Sequence, residues 1–111
     1  MTLDGERGDM YRARDEVENE AWLADLEHAA ERLDLDGAAR SRSVDLFLSN
    51  LPEDDRSKEA VMAASLYVAG LVEGDRRSQA TVADELGVSR LTVQQRWKPL
   101  LEGAGLDAPE W

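Results

Sequence analysis

The sequence predicts an all-α fold of about five helices, and three observations carry that prediction. Apolar residues recur at helical spacing through most of the chain, and no stretch alternates with the period of two that a strand requires. The segment Lys58–Glu73 is apolar nearly all round, as a helix packed on most sides must be. Finally, Ser78 to Lys98 reads as two short helices joined by a tight turn at Gly87, the pattern of a helix-turn-helix. At 111 residues the chain suits one domain with a modest core and is too short for two.

Residues 1–14 hold two glycines and little apolar periodicity, and are expected to form a disordered acidic tail. The helical domain is expected to span 15–106, with a short tail at 107–111. Its first helix runs from Asp15 to about Leu33, where Trp22, Leu26, Ala29 and Leu33 make a stripe widened by Leu23 and Ala30. Its early glutamates suit a helix N-terminus, and His28 is most simply a surface residue. Leu35-Asp36-Gly37 breaks the pattern. Asp36 can cap a second helix reaching about Asn50, with Val44, Phe47, Leu48 and Leu51 on its apolar face and Arg40 and Arg42 on the polar side.

Residues 52–56 form a loop, and Ser57 is a natural N-cap for the central helix. That helix contains Ala60, Ala63, Ala64 and Ala69, small enough to let neighbours approach closely. Lys58 and Glu73 bound an apolar stretch too short to span a bilayer. Gly74 to Arg77 then connects into the helix-turn-helix. Val82, Ala83 and Leu86 stripe its first helix, and Val93 and Trp97 continue the stripe on the second. Gly87 supplies the positive φ that ends the first helix, and Ser89 caps the second. Ala83 sits where the two helices cross. Pro99 removes a hydrogen bond and clashes with the carbonyl of Gln95, so the second helix is expected to kink, or to end near Lys98 and restart.

Composition narrows the functional classes. Without cysteine there is no disulfide, thiolate zinc site or cysteine nucleophile, and a single histidine makes no cluster. No nucleophile–base pairing, glycine-rich phosphate loop or metal-ligand spacing is present, so neither an enzyme nor a cofactor is expected. The opening residues are polar, unlike a secretion signal, and no apolar run approaches bilayer length, so a cytoplasmic protein is expected. The net charge is −11, and only two of the 13 basic residues are lysines. Such an acidic, lysine-poor, arginine-retaining composition is what chains from very salty cytoplasm show; an ordinary acidic protein is the plainer alternative. The charge is also unevenly placed: residues 1–75 carry −11, residues 76–98 carry +3, and residues 99–111 carry −3. The one basic patch coincides with the helix-turn-helix.

An alanine-rich central helix, a basic linker and a helix-turn-helix ending in an aromatic-Lys pair resemble the cyclin-like repeat of archaeal transcription factor B and eukaryotic transcription factor IIB, closest to the C-terminal repeat. The resemblance is carried by Ser57-Lys-Glu-Ala, Ala-Ala-Ser-Leu-Tyr67, Asp75-Arg-Arg-Ser-Gln79, Val82 to Val93 and Arg96-Trp-Lys98. It implies a five-helix cyclin-like bundle whose last two helices read promoter DNA beside the TATA box while TATA-binding protein holds the bent duplex. The family's aliphatic and arginine base-reading positions fall on Leu91 and Gln94. Glutamine there suits adenine's N6 and N7 edge rather than guanine. Pro99 departs from the family pattern. The chain also lacks the zinc ribbon that recruits polymerase and a second repeat.

On this basis the second helix of the motif is expected to enter the major groove of double-stranded DNA. Ser89, Arg90, Leu91, Gln94 and Gln95 occupy its first two turns as base readers, Arg90 for guanine or phosphate and Leu91 for a thymine methyl. Arg76, Arg77, Ser78, Gln79 and Lys98 are expected to hold phosphates. Thr92 faces partly inward, and Trp97 packs behind the helix. Five basic residues in an acidic chain neutralise few phosphates, so a homodimer or a protein partner such as TATA-binding protein or another basal transcription factor is expected. The alternative function is a protein-interaction module that modulates the basal machinery without reading bases.

Overall fold

The most apolar segment of the sequence becomes the axis of the fold. In the computed structural model, which describes residues 19–52 and 57–105, the helices are α1 (Glu20–Arg32), α2 (Gly37–Ser49), α3 (Lys58–Glu73), α4 (Gln79–Leu86) and α5 (Arg90–Gly103). Among the described residues all regular structure is helical. The expected acidic tail at 1–14, the first turn of the helix expected from Asp15, loop residues 53–56, and 106–111 lie outside the described residues.

Every residue of α3 from Ala60 to Leu71 is buried. A helix so enclosed needs neighbours on all sides, and α3 packs on each of the other four, most extensively on α2 and α5. Fully burying a Leu, Met or Val side chain stabilises by about 1.5–3 kcal/mol, so Met62, Leu66 and Val68 make this helix the main store of hydrophobic free energy. The alanines and Gly70 keep it thin. A Cβ at Gly70 would lie 2.6 Å from the Asp75 carbonyl oxygen, so only glycine lets the chain after α3 fold back this tightly. Gly74, at φ 77°, reverses the chain there. At the other end Ser57 differs from expectation. Its backbone is already helical (φ −90°, ψ −4°) rather than extended, and its hydroxyl makes no capping bond.

The stripe on α1 behaves as its spacing predicts: Leu26, Ala29, Ala30 and Leu33 are buried, with Trp22 and Leu23 packed partly buried against the core. Trp22 meets Phe47 of α2 edge to face, ring centroids 6.2 Å apart. Asp34 takes a left-handed φ of 56°, and Asp36 then caps α2 by accepting from the Ala39 amide at 2.9 Å. The buried face of α2 is rotated from the expected one. Ala39, Ser43, Leu46 and Phe47 are buried, while Val44, Leu48 and Leu51 are only partly so. Ser43 is accepted in the core because its hydroxyl donates to the Arg40 carbonyl at 2.7 Å.

The chain enters α4 through Ser78, whose hydroxyl accepts from the Thr81 amide at 3.0 Å. Gly87 ends α4 at φ 70°, and the Val88 amide donates back to Ala83 at 3.0 Å. Ser89 caps α5 in the same way, accepting from the Thr92 amide at 3.1 Å. Helix α5 neither ends near Lys98 nor restarts: it runs unbroken through Pro99 to Gly103. Leu100 and Leu101, just beyond the proline, are buried. Two buried leucines at about 1.5–3 kcal/mol each offset the roughly 3 kcal/mol that an internal proline costs.

Candidate nucleic-acid interface

The two helices of the motif lock through their small and apolar residues. Val82, Ala83 and Val93 are buried between them, and Leu86, Val88 and Trp97 pack partly buried on the same core. Trp97 meets Tyr67 of α3 edge to face at 5.6 Å, which ties α5 to the central helix. Trp97 is packing, as its position in the stripe predicts.

At about 100° per residue, the inward Val93, Trp97, Leu100 and Leu101 leave Leu91, Gln95 and Lys98 on the far side of α5. All three are exposed, and Leu91 at 59% is the exposed large hydrophobic side chain among the described residues. Gln94 is exposed on one flank and Arg90 in the first turn. Ser89 is exposed too, but its hydroxyl is engaged with both the Thr92 amide and the Thr92 hydroxyl, at 3.1 and 2.9 Å. Thr92 is half-buried.

The residues expected at phosphates divide. Arg76, Ser78 and Gln79 line one pocket of about 290 Å³ together with Tyr67, Ala80 and Arg90. Lys98 stands apart on the outward face of α5. Arg77, partly buried, is bound to neighbouring groups of the protein. Its Nε donates to the Leu33 carbonyl at 2.8 Å, Nη2 to the Asp34 carbonyl at 2.8 Å, and Nη1 to Asp75 Oδ1 at 2.7 Å. Asp75 Oδ2 also accepts from the Asp36 amide at 2.8 Å. Arg77 and the Asp36 amide hold the Asp75 carboxyl below its ordinary pKa. This knot fastens the α1–α2 turn to the linker and so sets where α4 begins.

The same division appears in the charges. Arg32 pairs with Glu85 at 3.0 Å, Arg42 with Glu73 at 2.9 Å, and Lys58 with Asp25 at 3.1 Å. On α5, Arg90, Arg96 and Lys98 make no ion pair with any described residue. Three cations on the body of the domain are thus paired with carboxylates, whereas the three on α5 make no such pair with a described residue. His28 is exposed on α1, beside an open pocket lined with both acids and bases. Among the described residues no cluster of His, Asp or Glu is placed to hold a metal ion, and no helix is long and apolar enough to cross a membrane.

Two features of the candidate interface are not legible from spacing. Tyr67 is hidden in an apolar helix whose pattern marks it as core, and the commitment of Arg77 depends on carbonyls more than forty residues away in sequence. A model of the family described as transcription factor TFIIB repeat matches residues 23–103. No curated protein matches the chain significantly.

Proposed function

The chain belongs to the transcription factor TFIIB repeat family, and from that premise we propose that it is a DNA-binding transcription regulator whose α5 enters the major groove. The family is one of transcription factors rather than enzymes, and the five-helix bundle around a central apolar helix is its cyclin-like fold. The observation that carries the proposal is on α5: Leu91, Gln94 and Gln95 are exposed between Arg90 and Lys98, on a helix whose three cations make no ion pair with a described residue. In this reading Gln94 and Gln95 read base edges, Leu91 meets a thymine methyl, and Arg90 meets guanine or a phosphate. Ser89 contributes at the first turn through whatever capacity its capping bonds leave. Arg76, Ser78, Gln79 and Lys98 hold the backbone, while Arg77 shapes the linker.

A duplex contact through so few cations is weak alone, and concentrated salt weakens it further. The regulator therefore acts with TATA-binding protein or as a dimer. These 111 residues contain no cysteine, so a zinc ribbon is not among them. Its acidic, lysine-poor composition suits a salt-rich cytoplasm of an archaeal halophile. A second reading rests on the net charge of −11: the acidic faces bind a basal transcription factor, and α5 serves only as core.

Selection from random duplex DNA in molar KCl, with and without TATA-binding protein, separates the two. The first reading expects an enriched sequence that the Arg90→Ala/Gln94→Ala/Gln95→Ala variant fails to enrich. Absence of any enrichment by the wild type, alone or with partner, rejects DNA reading. Equal enrichment by the variant means that other residues read the bases.

A further inference from the structure

We infer that Tyr67 is a phosphate ligand: its hydroxyl, with Arg76, Arg90 and the first turn of α4, holds one phosphodiester of the DNA backbone. This inference rests on the DNA-binding reading and adds to it a contact from the central helix. Tyr67 is 3% exposed, yet its hydroxyl makes no hydrogen bond to another described residue. Nor is it sealed in: among the described residues, the buried side-chain polar atoms without a partner are Ser65 Oγ and Gln79 Oε1. The hydroxyl therefore keeps some access to solvent, and Tyr67 lines one open pocket, with Arg76, Ser78, Gln79, Ala80 and Arg90.

A buried tyrosine normally satisfies its hydroxyl within the protein. Packing against Trp97 needs only the ring, which phenylalanine would supply equally. The oxygen thus calls for a partner from outside, and its surroundings specify that partner. Two guanidinium side chains line the same pocket, both exposed at the level of the residue. The α4 N-terminus adds amides: Ser78 Oγ takes the Thr81 amide and the Ser78 carbonyl takes the Val82 amide. That leaves the first-turn N–H groups of Gln79 and Ala80 outside these bonds, at the positive end of the helix dipole. The residues lining this pocket carry hydroxyl, guanidinium and amide donors, a set that suits an oxyanion, and the unpartnered Gln79 Oε1 is the one acceptor that its side chains add without a bond. Arg90 begins the helix that enters the groove, so the oxyanion in reach is a phosphodiester flanking the bases that α5 reads.

The test is Tyr67→Phe, which keeps the ring against Trp97 and deletes only the oxygen. Duplex affinity is expected to fall about 3- to 10-fold for every sequence alike, with the selected sequence unchanged. The variant loses no charge, so its dependence of log K on log salt should match wild type, whereas Arg90→Ala should flatten that slope by about 1. As a second measurement, inorganic phosphate should shift the backbone NMR signals of Gln79 and Ala80 in wild type and less in Tyr67→Phe. Wild-type DNA affinity in Tyr67→Phe overturns the inference and leaves DNA binding standing. Phosphate-induced shifts in a wild type that binds no duplex, alone or with partner, overturn the DNA reading and the phosphodiester assignment together, and leave a site for free phosphate.

Discussion

Replacing Gly70 with alanine sets two physical effects against each other. Glycine in a helix interior costs about 1 kcal/mol relative to alanine, so propensity alone predicts stabilisation. The contact says otherwise. The added Cβ would lie 2.6 Å from the Asp75 carbonyl oxygen and 3.5 Å from the Arg76 Cα. These are backbone atoms, which no side-chain rotation can move aside. Asp75 is also held from three directions: its amide donates to the Gly70 carbonyl at 2.8 Å, and its carboxylate binds the Asp36 amide at 2.8 Å and Arg77 at 2.7 Å. Restoring ordinary contact at 3.4 Å moves the linker by several tenths of an ångström and strains those bonds. Overpacking of this kind costs about 1–3 kcal/mol, and a strained hydrogen bond adds about 1 kcal/mol. After the helix gain is subtracted, Gly70→Ala should destabilise by about 1–3 kcal/mol, lowering Tm by roughly 5–20 °C. Urea and thermal unfolding followed by circular dichroism at fixed KCl measure both quantities. Gly103→Ala is the control, since a Cβ there meets nothing within 4 Å, and it should be neutral or slightly stabilising. A Gly70→Ala protein as stable as wild type would sink the reasoning, because propensity would then outweigh the contact.

The knot around Arg77 makes a second prediction: Arg77→Ala should lose about 1–3 kcal/mol in urea unfolding, and Arg77→Lys should not rescue it, because an ammonium cannot span two carbonyls and a carboxylate in that geometry. Recovery of full stability by lysine would show that charge alone suffices. Because the folded state lowers the Asp75 pKa, its contribution is present above the unfolded value of about 3.9 and fades as pH falls through the lower folded value. Acid titration of stability should therefore show a shallower loss in Asp75→Asn than in wild type below about pH 4; parallel curves would contradict the assignment. Ser65 is fully buried with its hydroxyl unpartnered, so Ser65→Ala should leave stability unchanged or raise it by up to about 1 kcal/mol, and a clear loss in thermal unfolding would reveal a hidden partner. Finally, with Arg76, Arg90, Arg96 and Lys98 as the cations facing DNA, log K against log salt should have a slope no steeper than about −4; a slope near −7 would mean that two copies bind.

The parts of the fold that periodicity governs were readable in advance. Trp22, Leu26, Ala29 and Leu33 repeat at helical spacing, and Gly87 and Ser89 announce a turn and a cap by local backbone chemistry alone. What differed depends on contacts that the apolar pattern does not show. The face of α2 turned by a residue because Ser43, polar in the pattern, satisfies its hydroxyl on its own helix and can be buried. Of the two outcomes expected at Pro99, a kink or an end near Lys98, the end does not occur: the local cost is visible in sequence, while the burial of Leu100 and Leu101 that offsets it is tertiary. The candidate interface divides the same way. Leu91, Gln95 and Lys98 follow from helix geometry, but nothing near Arg77 in sequence foretells that Leu33 and Asp34 will claim it, nor that Tyr67 will open onto the linker side of its helix.

A chain with a net charge of −11 repels DNA as a whole, so on the proposed reading its binding depends on where the charge lies. In 0.15 M salt the screening length is about 8 Å, and in molar salt about 3 Å. At the shorter length a phosphate at α5 responds to Arg90, Arg96 and Lys98 and hardly to acids across the domain. Pairing Arg32, Arg42 and Lys58 with carboxylates away from this helix costs the interface nothing at that range. Concentrated salt thus removes both the repulsion from the acidic body and most of the counterion-release gain from the basic helix. What remains for discrimination is short-ranged: Leu91, Gln94 and Gln95 against base edges, and neutral donors such as the Tyr67 hydroxyl and the α4 amides against phosphate. Such contacts specify a site without supplying much affinity, and for that reason the proposed regulator needs a partner already bound to the duplex.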